Sequence, residues 1–298
     1  MTNDVFGAGR DFLGREGRLI ERRLAAVLFD DADPSGAVAA VLAYRNSDAG
    51  FGHGLEPDKR CPHSLPIDVE RAFDVLLMAA ENGRYEEACG ALADSDVVRE
   101  ACDWLGSVAQ ADGAVPLAFP VIAEYPRADH WTDWTYEPGL NPTAGLAGRL
   151  HKMGVTHPWL ARATEWTWRR LESGFEEDAH TQVEVLEFLA NVPDRARAEA
   201  VGAQVRDWLP QLRWFRADPA DPTYGVSPLH FAPSPDSPWT ALFDEAAIAG
   251  HLDRLAHDQQ ADGGWPITWI PPGTASVLEW RGIETLRALR TLRAYGRI

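Results

Sequence analysis

The chain has 298 residues, of which 45% are hydrophobic and 24% charged, and its formal net charge is −17. This composition is ordinary for a globular protein, and no apolar run approaches the roughly 20 residues that span a bilayer. The acidic balance disfavours nucleic acids and anionic membranes, because their phosphates would be repelled. The three cysteines form no CxxC pair, which indicates neither a disulfide framework nor a cysteine-rich zinc site. We expect a cytoplasmic protein.

The sequence predicts helices and gives no run of alternating β-branched residues. Apolar residues recur at helical spacing from Val69 to Ala80 and again from Ile283 to Leu292. Proline at a first helical position predicts further helix starts at Pro142, Pro158 and Pro238. The helical segments pair in chain order as 34–45 with 66–80, 97–110 with 142–153, 158–173 with 179–190, 201–212 with 238–253, and 249–260 with 276–294.

Helical hairpins bury their apolar faces only against neighbours, so five or six of them would close into a ring. No segment has the composition of a linker. We therefore predict a single all-α domain over residues 1–298, folded as an α/α toroid of five to six helical hairpins.

One phrase recurs where predicted helices end. It reads QQADGGW at 259–265, YRNSDAGFG at 44–52 and QADG at 110–113. Each copy turns on Asp and Gly, and the two longer copies add an aromatic residue. A repeated helix–turn–aromatic unit indicates a repetitive architecture.

The copy at 259–265, preceded by Leu252 and Leu255, resembles the Gln…Trp repeat of squalene-hopene cyclases and other terpenoid cyclases. The segment 101–105 followed by 110–113 resembles the same repeat without its aromatic residue. That superfamily includes the β subunits of protein prenyltransferases, whose single α/α toroid has a similar length. The resemblance implies an α/α toroid with an aromatic-walled cavity for an isoprenoid.

The sequence departs from the catalytic motifs of that superfamily. Class II terpenoid cyclases protonate their substrate with an Asp-x-Asp-Asp motif, and the nearest strings here, DSDV at 94–97 and DDAD at 30–33, do not match it. No cysteine is arranged with Asp and His like the zinc ligands of the prenyltransferases. We therefore predict no metal site and no required cofactor, and Mg²⁺ would be needed only with a diphosphate substrate.

The densest polar segment is the loop 52–64, which we expect at the mouth of the toroid. His53, Glu56 and Asp58 are candidate catalytic residues there, and His63 is a candidate substrate-binding residue. Such a set could provide a general acid and base or bind a divalent ion. The alternative is a loop held together by hydrogen bonds to its own backbone.

Asp178 is the fourth candidate catalytic residue, in an acidic cluster at the start of a predicted inner helix. In the layout of the cyclases this end of the helix points into the cavity, and Asp178 would act as an acid if burial raised its pKa. The alternative is that acidic residues at a helix N-terminus only interact with the helix dipole.

Twelve tryptophans, about three times the average usage, suggest an aromatic-lined site. Aromatic faces stabilise cations by about 0.5–2 kcal/mol each, and they also stack on sugar rings. Packing between helices would explain many of them equally well. The remaining candidate substrate-binding residues are Trp131, Trp134, Tyr136, Glu137, His180, Tyr224, Trp239, Trp265, Trp269 and Trp280.

The leading hypothesis is an isoprenoid-processing enzyme with a small apolar or isoprenoid ligand. It would be a non-standard terpenoid cyclase, an isomerase or lyase, that starts cyclisation with a proton from Asp178, Glu56 or Asp58. One alternative is a carbohydrate-active toroid with paired carboxylates such as Glu56 and Glu137. Another is a non-catalytic protein that binds an apolar ligand. A dry, Trp-walled tunnel would favour the cyclase, and an open acidic groove would favour the carbohydrate enzyme.

Overall fold

The computed structural model describes residues 4–298, so residues 1–3 of the predicted domain lie outside the described residues. The predicted all-α class is confirmed: within 4–298 extended segments pair only at isolated bridges. The helices are α1 (Val5–Glu16), α2 (Leu19–Asp30), α3 (Ser35–Leu42), α4 (Pro66–Ala79), α5 (Tyr85–Cys89), α6 (Asp96–Val108), α7 (Leu140–Lys152), α8 (Pro158–Glu172), α9 (Ala179–Asn191), α10 (Arg195–Trp208), α11 (Pro228–Phe231), α12 (Glu245–His257) and α13 (Thr274–Ala294).

Helices pack both with their chain neighbours and with helices two or three places further along the chain. α2 packs against α3, α7 against α8, α9 against α10, and α12 against α13. α2 also contacts α4, α4 contacts α7, α7 contacts α9, and α9 contacts α11. The last helix, α13, lies against both α1 and α2. None of the helices in residues 4–298 has the length and apolar character needed to cross a membrane.

The closest helix packing joins α7 to α9, and small residues on α7 allow it. A side-chain Cβ added at Gly148 would lie 2.6 Å from the backbone nitrogen of Phe188 on α9. The apolar residues of α7, including Leu146 and Leu150, are fully buried in the main core. The polar side chains that α7 and α9 project are consequently held at fixed positions.

The helix boundaries expected from the sequence agree with α4, α6, α8, α9 and α13 to within two residues. The helix predicted at 238–253 is wrong. Instead the short α11 ends at Phe231, an irregular segment follows, and α12 begins at Glu245. The Ser237 hydroxyl donates to the Phe231 carbonyl, so it closes a turn and starts no helix. The helices α1 and α2 were not predicted from the sequence.

The three repeated turns share one hydrogen-bond pattern. In the last copy the Gln260 N–H donates to the Gly264 carbonyl and the Gly263 N–H donates to the Gln260 carbonyl, both at 2.9 Å. The Asp262 carboxylate accepts from the Gly264 N–H at 3.1 Å. The same three bonds recur around Asp48 and Asp112. The repeat in the sequence is therefore a repeat of turn geometry.

Replacing Gly263 with alanine should destabilise the protein by more than about 1 kcal/mol. Its φ is +91°, and a Cβ there would lie 2.1 Å from the Ala8 carbonyl oxygen of α1. Gly14→Ala is the matched control, because nothing lies within 4 Å of its Cβ position in α1. Alanine should stabilise that helix by about 0.5–1 kcal/mol. Urea unfolding of both variants measures the difference, and equal effects would contradict the packing of this turn on α1.

Candidate functional site

The loop 52–64 is held in place by a buried lysine. Lys59 is fully buried, and its Nζ donates to Glu56 Oε2 at 2.9 Å and to Asp68 Oδ1 at 3.2 Å. Asp68 Oδ1 also accepts the Glu56 backbone N–H at 2.8 Å. Burial would lower the pKa of Lys59, but the Asp68 and Glu56 carboxylates raise it. This ion-pair cluster orders the loop and places Asp58 beside it.

Glu56 belongs to this cluster. Besides Lys59, its Oε2 accepts the Asp58 backbone N–H at 3.2 Å. Glu56 is buried and both of these bonds hold the loop. The contacts of Glu56 therefore position the next carboxylate, Asp58. They agree with the alternative prediction for this segment, a loop held together by hydrogen bonds to its own backbone.

A second loop pairs with the first and brings a histidine to it. The Ala128 N–H donates to the Asp58 carbonyl at 2.7 Å, and the Arg60 N–H donates to the Pro126 carbonyl at 2.8 Å. The chain then turns at a short 3₁₀ helix, Asp129–Trp131. His130 Nε2 lies 3.8 Å from Asp58 Oδ2.

Asp58 is enclosed by two tryptophans. Its Oδ1 accepts the Trp280 indole N–H at 2.7 Å and the Trp269 indole N–H at 3.0 Å. The two rings meet edge to face, with centroids 5.0 Å apart. The pKa of Asp58 is raised to about 7. Burial is the largest cause and repulsion from the Glu56 carboxylate the next largest, although the hydrogen bonds from both indoles oppose the shift.

The two oxygens of Asp58 are unequal. Oδ1 accepts two N–H groups, which leaves little room for a proton, whereas Oδ2 faces His130. A proton on Asp58 therefore belongs on Oδ2. Burial lowers the pKa of His130, which favours its neutral form, and its side chain is 49% exposed.

A row of aromatic contacts leads from Trp269 to α9. Tyr224 meets Trp269 at 5.7 Å between centroids and stacks on His180 at 5.4 Å. The Tyr224 hydroxyl lies 2.8 Å from His180 Nε2, and His180 Nδ1 lies 3.5 Å from Asp178 Oδ1. Burial and the carboxylates of Asp58 and Asp178 raise the pKa of Tyr224 to about 12.

Asp178 lacks the raised pKa that an acid role required. Burial alone would raise its pKa, but His180 and the backbone N–H of Thr181 lower it. The Thr181 N–H donates to Asp178 Oδ1 at 3.0 Å, so Asp178 is the N-cap of α9. It is therefore the ionised carboxylate of the site, whereas the raised pKa of Asp58 leaves a large fraction of that group protonated at neutral pH.

Two predicted histidines lie outside this arrangement. His53 is exposed, and its Nε2 bonds to Asn46 Oδ1 at 2.9 Å in the first repeat turn. His63 is also exposed and bonds to the Tyr125 hydroxyl at 3.1 Å. Neither contacts Asp58 among the hydrogen bonds of residues 4–298, which corrects the expectation that the loop histidines act with it.

Two predicted tryptophans serve packing. The Trp265 indole N–H donates to the Leu255 carbonyl at 2.7 Å, and the Trp239 indole N–H donates to the Leu186 carbonyl at 2.9 Å. Both side chains are buried in the main core. Trp265, the aromatic residue of the repeat, thus fastens the turn and packs in the main core.

The segment that carries His130 contains the other four predicted residues. Trp131 is buried in a small second core, stacks near His130 and contacts the partly exposed Trp134 at 4.9 Å. Tyr136 packs against the same core, with φ +55°, while Glu137 is exposed. The structure thus gathers Asp58, His180, Tyr224, Trp269 and Trp280 at the site, with Trp131 and Trp134 flanking His130.

A buried charge cluster on the helices was missed by the sequence analysis. Arg149 of α7 donates to Asp74 at 2.6 Å, to Glu184 at 2.6 Å and to Glu70 at 3.1 Å. Burial and the Glu184 carboxylate hold the pKa of Glu70 well above its usual range. The interior at these helices is consequently polar, unlike the dry tunnel expected for a cyclase.

Two cavities have linings that contain none of the predicted site residues. One, of about 430 Å³, lies between α2 and α3, and the other, of about 250 Å³, is lined by residues such as Trp168 and Phe175. Within 4–298 no group of three His, Cys, Asp or Glu side chains is arranged to hold a metal ion.

No protein-family model matches the chain, and none of the curated proteins is significantly similar to it.

Replacing Lys59 with methionine should lower the free energy of unfolding by about 3–5 kcal/mol, because Glu56 and Asp68 would be left buried without their cation. Lys152→Met is the matched control at the other lysine of the chain, which is exposed, and should change stability by less than about 0.5 kcal/mol. Urea unfolding at pH 7 compares them. Similar small losses in both would contradict the anchoring role of Lys59.

Asp58→Asn and Asp178→Asn should have different pH signatures. The raised pKa of Asp58 means that its carboxyl favours folding below about pH 4 and loses that contribution as pH rises to about 7. Asparagine removes the ionisation. As pH rises from 5 to 8, the free energy of unfolding of Asp58→Asn should therefore increase by about 2–4 kcal/mol relative to that of the wild type. The lowered pKa of Asp178 places its titration below pH 4, so its variant should show a constant loss over that range. Unfolding curves of the wild type and both variants at each pH give the differences in the free energy of unfolding. A difference between Asp58→Asn and wild type that does not change with pH would contradict the raised pKa.

Proposed function

We propose that this protein is an isoprenoid-processing enzyme that protonates its substrate with Asp58, as a non-standard terpenoid cyclase would, on an α/α toroid. The observation that carries the proposal is a buried carboxyl group whose pKa is raised to about 7, with two indole N–H groups bonded to Oδ1 and Oδ2 facing His130. Of the three acids that the sequence left open, Asp178, Glu56 and Asp58, the proposal selects Asp58.

Helix contacts support the toroid. A continuous series of contacts runs from α2 through α4, α7, α9, α11, α12 and α13 and back to α2. The helices α1, α3, α6, α8 and α10 precede members of this series in the chain, as the outer members of hairpins would. The last repeat turn also packs on the first helix, since the Gln259 side chain donates to the Val5 carbonyl at 2.8 Å.

Proton donation by Asp58 is supported by how its conjugate base is bound. When the proton leaves Oδ2, the carboxylate is already bonded to two indole N–H groups at Oδ1, which need no rearrangement. A pKa near 7 keeps a large fraction of the group protonated at neutral pH. Tyr224 and Trp269 contact each other edge to face, with centroids 5.7 Å apart, and Trp269 bonds to Asp58. The ring faces of these two residues would stabilise a cation formed by protonation.

A carbohydrate-active enzyme is the second candidate, and a specific observation favours it. Asp58 and Asp178 have pKa values shifted in opposite directions, which is the pattern of a general acid and a base. The exposed faces of Trp134, Trp214 and Tyr224 would suit sugar rings, and the Arg149 cluster makes the interior polar. This pair replaces Glu56 and Glu137 as the two carboxylates.

Ligand binding separates the two candidates. Farnesol, geranylgeraniol or their diphosphates should quench tryptophan fluorescence and raise the melting temperature by several degrees at saturation, because a ligand bound only to the folded state adds about 2.7 kcal/mol at 100 times Kd. Asp58→Asn should keep this binding and lose turnover. Cello- and malto-oligosaccharides should have no effect.

Stabilisation by oligosaccharides without an effect of prenyl compounds would replace the isoprenoid proposal with the carbohydrate one. Full turnover by Asp58→Asn would remove Asp58 as the acid. Binding of prenyl compounds with no chemical change under any condition would identify a non-catalytic binding protein. Addition of Mg²⁺ to the diphosphate assays tests whether that substrate form requires the ion.

A further inference from the structure

We propose that Tyr224, His180 and Asp178 form a proton-accepting relay that complements Asp58, with Tyr224 as the residue that takes the proton from the substrate or a water molecule. The inference rests on the proposed function, in which Asp58 supplies a proton. A reaction that begins with protonation must also give up a proton, and Tyr224 with His180 offers an acceptor separate from Asp58 and His130.

The relay stands on three linked contacts. The Tyr224 hydroxyl is 2.8 Å from His180 Nε2, the stacked rings are 18° from parallel, and His180 Nδ1 is 3.5 Å from Asp178 Oδ1. A carboxylate at Nδ1 favours the tautomer with its proton on Nδ1. Nε2 is then unprotonated, and the Tyr224 hydroxyl donates its proton to it.

The position of the relay relates it to the acid. Tyr224 contacts Trp269, whose indole N–H bonds to Asp58, so one aromatic ring separates the two ends. Tyr224 is 38% exposed and the His180 side chain is 35% exposed, which leaves both accessible to a ligand. Asp178 is fixed as the N-cap of α9 and can orient His180 without moving.

The proton transfer balances as follows. In one case a C–H bond of a cationic intermediate breaks, its electron pair forms a C=C bond, and the proton joins the Tyr224 oxygen. In the other case a water oxygen bonds to the cation while one of its O–H bonds breaks, and that proton joins the Tyr224 oxygen. In the same step the original Tyr224 O–H bond breaks and its proton joins His180 Nε2. The phenol stays neutral, and the positive charge of the imidazolium lies next to the Asp178 carboxylate. Proton exchange with solvent then restores both ends of the site. Asp58 regains its proton through the exposed His130, and the partly exposed His180 loses its extra proton directly to water.

Nitrogen NMR of isotope-labelled histidine tests the hydrogen bonds without any substrate. At pH 8 we expect His180 as the Nδ1–H tautomer, with an Nε2 signal shifted by hydrogen-bond acceptance. Tyr224→Phe should move that signal to the position of a free nitrogen. Tyr295→Phe is the matched control, because its hydroxyl donates to the Ala232 carbonyl and should leave His180 unchanged. A His180 proton on Nε2 in the wild type would overturn the relay.

Kinetic measurements with farnesol and geranylgeraniol test whether the relay takes part in turnover. Tyr224→Phe should lower kcat by about 10²–10⁴-fold with little change in KM, and Asp178→Asn should lower kcat while keeping the N-cap of α9. If Asp58→Asn abolishes turnover and Tyr224→Phe does not reduce it, the relay is wrong and the acid stands. If the wild type converts neither the alcohols nor their diphosphates, the isoprenoid function fails, and the NMR result judges the relay separately.

Discussion

The position of the site depends on one buried charge. Lys59 has no exposed surface, and its ammonium group is compensated only because Glu56 and Asp68 converge on it. Such a cluster contributes little net stability compared with apolar residues, since each charge loses its hydration, but it tolerates only one arrangement of its members. Asp68 belongs to α4 and Glu56 to the loop, so the cluster fixes the loop to a helix. Asp58 lies between Glu56 and Lys59 and inherits that fixed position.

The same cluster helps to set the chemistry of Asp58. Burial and the Glu56 carboxylate raise the pKa of Asp58, while two indole N–H groups and Lys59 lower it, and the balance is a pKa of about 7. Asp178 is also substantially shielded from water, but a histidine and a helix N-terminus stabilise its charged form, and its pKa falls. Two carboxylates near one tyrosine thus differ in protonation because of their local partners. The sequence does not distinguish them, since it reveals neither the partners nor the burial.

The sequence predicted most helices because their apolar periodicity is local information. It failed at 238–253, where a Ser-Pro pair that usually starts a helix closes a turn instead. For the site, it selected Asp58, His180, Tyr224, Trp269 and Trp280 from the density of polar and aromatic residues. It could not group them, because the contact of Asp58 with Trp280 spans 222 residues. The rarity of lysine could have drawn attention to Lys59, which is one of only two lysines in the chain. The Arg149 cluster could not be predicted in this way, because it forms only when three helices pack together.

Five of the tryptophans fall into two classes by where their indole N–H groups donate, while the Trp104 indole N–H donates to the Asp48 carboxylate of the first repeat turn. Trp265, Trp239 and Trp159 donate to backbone carbonyls, and their rings fill the core. Trp269 and Trp280 donate to a side-chain carboxylate in the site. The repeat that suggested the architecture contains Trp265, a member of the first class, while the reactive groups lie on loops and at helix ends outside the repeat. A resemblance through the repeat therefore carries information about packing, and the function must be argued from Asp58 and its neighbours.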